Sequence, residues 1–301
     1  MLPIRYLRRK EIDNEAWNNC IREAANGLIY SYSYYLDAMA DNWDGLVWGD
    51  YESVMPLPWR KKWGVSYLYQ PFFSAQLGVF GNTLSTAVVE GFLKAIPEKF
   101  HFWEISLNYK NLYTLPSFSL HQRMNYVLPL HQPYETLFKT YRENIRRNIK
   151  KCGQYGGKVI TEVAVEDIIK LVKFQATNIS YSGFEAFTKL FHQLAQDGKT
   201  KTYGIVSAKG DLLASAVFFF SHKRAYYILV GNHPNGRTLG ASHALIDAFI
   251  RDHAGQDLLL DFEGSDIRNL AFFYSSFGAQ EECYAAIRLN RLPWWLRWMK
   301  D

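Results

Sequence analysis

The residues best suited to chemistry lie between Arg224 and Gly278, and the first of them form the run Arg237, Thr238, Leu239, Gly240, Ala241, Ser242. An aromatic and β-branched run, Ala225 to Gly231, precedes it, and apolar residues at 241, 244, 245, 248 and 249 follow at helical spacing. The order is strand, turn, helix. The unpaired N–H groups and positive dipole end at such a helix start favour a phosphate. Arg237 can add a charge-assisted hydrogen bond, and Gly240 leaves room for the backbone to approach an anion. An ordinary β-to-α surface turn would have the same outline.

Two further groups stand out. The apolar run Leu258 to Phe262 ends in Asp261, Glu263, Gly264 and Ser265. Carboxylates at a strand end can act as a base or steer water; the alternative is an N-cap cluster in which Ser265 or Asp266 starts the next helix. The second group lies on the helix expected over Tyr134 to Cys152, whose stripe is Tyr134, Leu137, Phe138, Tyr141, Ile145, Ile149 and Cys152. Its other side carries Lys139, Arg142, Arg146, Arg147, Lys150 and Lys151 beside Glu143. Arg146, Arg147 and Lys150 suit phosphates, or else form a solvated face.

The elements that must position these groups come in a readable order. The chain has 301 residues, is 48% hydrophobic and 21% charged, and carries a formal net charge of +5, the composition of a globular protein of one large or two medium domains. Strands, helices and then several strands are expected before residue 133, with Asp13 capping the first helix. Tyr67, Tyr69, Phe72, Phe73 and Trp103 are candidate cleft walls or core. From Lys158 the order resets as strand, helix, helix, strand, strand, strand, the 237 to 242 turn, helix, strand, helix and a last strand, Cys283 to Leu289.

Cys20, Cys152 and Cys283 have no CxxC spacing, so no disulfide framework or zinc site is indicated, and the eight histidines show no ligand-like pairing. No window has the apolar length of a membrane span, and no apolar signal core follows the basic N-terminus, which makes a cytoplasmic location the expectation. The tail Pro293 to Lys300, with Trp294, Trp295 and Trp298, could touch a membrane peripherally or dock on the protein itself.

The spacing Arg237, Gly240, Ser242 resembles the pyrophosphate loop of the GNAT acyl-CoA N-acyltransferase superfamily, with Ser242 where Gly or Ala is usual. The order of elements after 158 is similar to the GNAT core. With the basic helix Asn144 to Lys151, the run Leu260 to Ser265 and the pair Phe277, Gly278, the chain resembles the tandem Fem peptidyltransferase family and its acyltransferase relatives. The resemblance implies an α/β fold with two GNAT-like halves, 1–133 and 158–301, joined by a basic helix over 134–157. It implies coenzyme A or acyl-CoA as donor at Arg237, Thr238, Leu239, Gly240, Ala241 and Ser242, and an oxyanion held by backbone at Leu229, Val230 and Gly231. Glu263 and Asp261 would serve the acceptor. Tyr274, four residues before Gly278, would be the general acid, or else a core tyrosine. The first half, lacking a counterpart of Arg237, would shape the acceptor cleft.

The first expectation is therefore an N-acyltransferase acting on a small-molecule or peptide amine, without a metal. The alternatives are a charged-tRNA-dependent peptidyltransferase acting on a cell-wall precursor, for which Arg146, Arg147 and Lys150 would meet the RNA, and a non-catalytic binding protein on the same fold. DNA is not an expected partner, and the sequence sets no oligomeric state.

Overall fold

The structure, a computed structural model, describes residues 3–173, 181–264 and 266–292, without the side chain of Arg237; the tryptophan-rich tail from Pro293 lies outside the described residues. Residues up to 123 together with those from 283 onward form one compact unit, and residues 124–282 form the other.

The first unit opens with β1 (Ile4–Leu7) and α1 (Asn14–Glu23). The Asp13 carboxylate accepts the Glu15 and Ala16 N–H groups, as its N-cap position requires, and the helix buries Trp17, Cys20 and Ile21. Then come α2 (Ser33–Met39), β2 (Trp43–Trp48), β3 (Ser53–Lys62), β4 (Val65–Tyr69), β5 (Phe80–Gly81), α3 (Thr86–Lys94) and β6 (Phe100–Ser106). Of the aromatic candidates here, Tyr69 and Trp103 are buried, whereas Phe72 is exposed. Residues 76–79, just before β5, belong to no strand. Buried Asn26, Asn108 and Asn111 all donate side-chain N–H to the Val79 carbonyl, and Asn111 Oδ1 accepts the Val79 N–H, so side chains satisfy backbone that a ladder would otherwise pair.

The second unit takes residues 124–129 of β7 (His121–Pro129), then α4 (Tyr134–Thr140), α5 (Glu143–Gln154), β8 (Lys158–Thr161), α6 (Val165–Lys173) and α7 (Tyr181–Gln196). It continues with β9 (Thr200–Val206), β10 (Leu212–Ser221), β11 (Arg224–Asn232), α8 (Pro234–Leu239), α9 (Ala241–His253), β12 (Leu259–Asp261) and α10 (Arg268–Ser275). Its strands lie in the order β7-β12-β11-β10-β9-β8, with β11 and β12 parallel and the other pairs antiparallel. The last strand, β13 (Gln280–Asn290), gives residues 286–290 to β6, so the chain returns to the first unit. Those units do not coincide with boundaries at 133 and 157, because residues 127–129 pair with β12 and residues 286–290 pair with β6.

The single helix expected over Tyr134 to Cys152 is two. Tyr141 and Arg142 are extended, with ψ of 137° and 154°, and the Arg142 N–H donates to the Ser276 carbonyl instead of to a helical acceptor. Both helices and their basic residues belong to the second unit.

Candidate functional site

Four elements of the second unit, β11, α8, α9 and α10, converge on one cleft. β11 pairs with β12 only over Arg224 to Tyr226, while on its other edge it stays paired with β10 as far as Asn232. From Tyr227 onward its β12 side pairs with no strand among the described residues, so alternate N–H groups there face none. A bulge at Ile228 of β11, opposite Val217 and Phe218 of β10, sits beside the point of parting. Gly231 faces α6, where an added Cβ would meet the Leu171 side chain at 3.1 Å, whereas Val230 and Asn232 border the cleft. Leu229 is buried.

The segment after β11 departs from a simple turn. Pro234 takes the first position of α8, where its missing N–H costs nothing. Arg237, Thr238 and Leu239 are therefore helical. Gly240 is left-handed, at φ 75° and ψ 24°, and α9 starts at Ala241. An added Cβ at Gly240 would stand 2.6 Å from the Asn148 carbonyl oxygen, so α5 occupies the space that the missing side chain leaves. Close approach of a ligand at Gly240 is replaced by close approach of a helix. Ala241 is fully buried, and the Ser242 hydroxyl donates to Asn232 Oδ1, clipping the end of β11 to the first turn of α9.

The cleft between these elements has a volume of about 370 Å³ and is walled by Tyr227, Val230, Asn232, Gly236, Ser242, His243, Leu270, Phe273 and Tyr274. Burial pushes the Tyr274 hydroxyl up to about 12, with the Glu263 charge adding to the shift. Its ring stacks on Phe262 at 4.5 Å. Burial lowers His243 to about 4, and its ring stands edge-on to Phe273 at 4.9 Å. His243 Nε2 lies 3.4 Å from Asn148 Nδ2, an amide nitrogen that also donates to the Asn144 carbonyl.

Glu263 and Asp261 part company. Asp261, 2% exposed, accepts from Arg224 Nη1 at 2.6 Å, from Asn125 Nδ2 at 2.9 Å and from the Glu263 N–H at 2.8 Å. Arg224 is itself buried and also grips both oxygens of Glu282, at 2.9 Å each. Asp261 is thus absorbed in a buried network and is not brought to the cleft. Glu263 is less buried, holds a positive φ of 67° unusual for a side-chain-bearing residue, and acts electrostatically on Tyr274. Asp266 accepts the Met124 N–H, and α10 begins after Ile267 without a side-chain cap; Ser265 lies outside the described residues.

On α5, Arg147 and Lys150 are exposed. Arg147 meets Glu143 at 3.9 Å, a loose pair between exposed side chains worth little. Arg146 is also exposed, donates to the Lys139 carbonyl and lies over the Phe138 ring, so it staples α4 to α5.

His243, Asn232 and Phe273 do not stand out in the sequence. Their only signal is position, three residues after Gly240, at the end of β11 and one residue before Tyr274. A larger cleft of about 720 Å³ lies at Thr161, Glu166, His192, Tyr203 and Asp252. Among its polar groups, Tyr203 pairs with Asp252 and His192 with Glu166.

With this geometry, the comparisons with known proteins agree. Residues 139–266, which span β11, α9 and β12, match the family described as acetyltransferase (GNAT) domain. The chain superposes on FemX with a TM-score of 0.62 at 12% identity, over 94% of this chain and 97% of that one. It is similar to a tandem GNAT protein from the clavulanic acid biosynthesis pathway (TM-score 0.57, 10% identity, 96% and 99% covered). It is also similar to L-PGS from Bacillus licheniformis (TM-score 0.56, 11% identity, 95% and 94% covered). No curated protein matches its sequence. The chain thus has an α/β, tandem GNAT fold of the Fem-like type.

Proposed function

We propose that the protein is a transferase that moves an acyl group from acyl-CoA to an amine, with the donor in the cleft beside β11. The observation that carries this reading is the parting of β11 from β12 after Tyr226, which opens backbone N–H groups onto a cleft at the start of α9. Of Leu229, Val230 and Gly231, the N–H groups that point away from β10 supply donors to the acyl carbonyl as it becomes an oxyanion. The first-turn N–H groups of Ala241 and Ser242 take a phosphate, with Arg237 and Thr238 on the helix before them. Leu239 and Gly240 shape that corner.

The amine nitrogen attacks the thioester carbon, and Glu263 takes the amine proton. The C–S bond then breaks, and Tyr274, protonated at neutral pH, gives its proton to the departing thiolate. Asp261 holds Glu263 by its backbone N–H and takes no direct part. Melting temperature with and without acetyl-CoA or coenzyme A tests the reading: a ligand that binds the fold raises it by mass action. A flat melting temperature at millimolar ligand would remove acyl-CoA as the donor.

A second reading, an aminoacyl ester on tRNA as donor and a cell-wall precursor as acceptor, draws support from the packing of Asn148 against Gly240 and from the exposed Arg146, Arg147 and Lys150. Binding of charged tRNA would then weaken steeply with salt, and reversing Arg147 and Lys150 would reduce the salt slope by roughly one for each phosphate no longer neutralised. Affinity indifferent to both would dismiss it.

A further inference from the structure

The chain leaving β12 is held at three successive residues. Asp261 ends the strand. The Phe262 N–H donates to the Tyr126 carbonyl at 3.0 Å, and the Phe262 ring stacks on that of Tyr274. Glu263 and Gly264 then take φ of 67° and 85° in succession, which turns the chain sharply. A left-handed glutamate is costly and persists only where its surroundings fix it. Asp261 Oδ1 supplies one such hold by accepting the Glu263 N–H at 2.8 Å. Asp261 is fixed in turn. Its Oδ1 also accepts from Asn125 Nδ2 at 2.9 Å, and its Oδ2 accepts from Arg224 Nη1 at 2.6 Å. Glu282 braces both donors, taking Arg224 Nη1 and Nη2 at 2.9 Å each and Asn125 Nδ2 at 3.2 Å. With a guanidinium on one oxygen and an amide on the other, the direction of Oδ1 is set.

We propose that Arg224 is a positioning residue of the transfer site: acting through Asp261, it holds the Glu263 backbone in the left-handed turn that directs the Glu263 carboxylate. The proposal rests on Glu263 as the group that takes the amine proton. Buried ions add little stability over apolar residues of the same volume, so orientation is what this network contributes. A guanidinium suits that task, because its planar fork grips two carboxylates at once, where an ammonium is a point charge. None of Arg224, Asn125 and Asp261 walls the donor cleft, so the network acts on turnover and not on donor binding.

Two measurements on the full chain test this, one of them independent of activity. In protein labelled with nitrogen-15 glutamate, the amide signal that Glu263→Gln removes is that of Glu263. An N–H bound to a carboxylate resonates downfield, so Asp261→Ala should move this signal upfield, and Arg224→Lys should move it too. A Glu263 signal unmoved by Arg224→Lys overturns the proposal. The second measurement is turnover with acetyl-CoA as donor and lysyl-lysine as amine. Arg224→Lys and Asp261→Ala should each lower kcat roughly 10- to 100-fold, with KM for acetyl-CoA within about twofold of the parent. Asp261→Asn keeps an oxygen for the Glu263 N–H and should recover part of the loss. In a Glu263→Gln background, Asp261→Ala should cost less than about twofold more, because its effect passes through Glu263. Equal cost in both backgrounds overturns the proposal, as does a change confined to KM for acetyl-CoA. Melting temperature checks that each variant is folded. Asp261→Ala leaves Arg224 on both Glu282 oxygens, and if it fails to fold, Arg224→Lys in the two backgrounds makes the same comparison. No transfer by the unmodified protein would count against the reaction and not against the hold on Glu263, which the amide signal then decides alone.

Discussion

The Cα of Gly240 lies against the backbone of Asn148, with 2.6 Å between an added Cβ and the Asn148 carbonyl oxygen. This single approach decides what the glycine of the sequence motif does: it admits α5 to the start of α9. Gly240→Ala should therefore lower stability without any ligand, by about 1–3 kcal/mol, from left-handed strain plus a backbone clash. Gly64→Ala is the control, since Gly64 has a φ of 82° and nothing within 4 Å of an added Cβ. Denaturant unfolding should show Gly240→Ala as the costlier change. Equal costs would mean that strain, not packing, sets the requirement for glycine.

The pairing of Arg224 with Asp261 and Glu282 gives a second expectation. Arg224→Met would leave two carboxylates without their cation at a largely buried site, and breaking such a pair costs about 3–5 kcal/mol. Urea unfolding of the variant should show a loss of that order. A loss below about 1 kcal/mol would show that water or local rearrangement satisfies both carboxylates.

His243 makes stability depend on acid. Its folded value of about 4 lies below the ordinary 6.5, so the unfolded chain binds the proton first as pH falls. Stability from this group is complete above about pH 6.5 and is lost as pH drops toward 4, by an amount on the order of 3 kcal/mol at most. His243→Phe should flatten that part of the stability-against-pH curve. An unchanged slope would place the acid sensitivity elsewhere.

Tyr274→Phe should leave the fold within about 1 kcal/mol of the parent, since only a hydroxyl is lost. As the proton donor, Tyr274 should account for about a hundredfold in turnover. Because its value is raised to about 12, this tyrosine should give no alkaline fall in rate below about pH 11. A tyrosine variant with full turnover would return Tyr274 to the core, stacked on Phe262.

Much of the second unit is legible in the sequence because its elements are local. The aromatic and β-branched run over 225–231 and the helical spacing over 241–249 arise from neighbours in sequence, as does the Asp13 cap in the first unit, and the structure places β11, α9 and α1 there. What is not legible depends on distant partners. The apolar stripe continues without a break through Tyr141, and only the bond from the Arg142 N–H to the Ser276 carbonyl explains the split between α4 and α5. Nothing near Asp261 in sequence announces Arg224, 37 residues away, as the group that absorbs its carboxylate. Pro234 does offer a local signal for α8, since proline favours the first helical position. The sequence marks Gly240 as a position requiring glycine, but the neighbour that requires it is α5, which spacing does not reveal.

Titration calorimetry with coenzyme A, on the unmodified protein and on Ser242→Trp, tests most directly whether the cleft beside β11 seats the donor. An indole at 242 would fill the space between Asn232 and His243. Measurable heat with the unmodified protein, and its loss in the variant, is the expected result. Equal affinity in both proteins, or no heat in either, would contradict the placement of the acyl donor in this cleft.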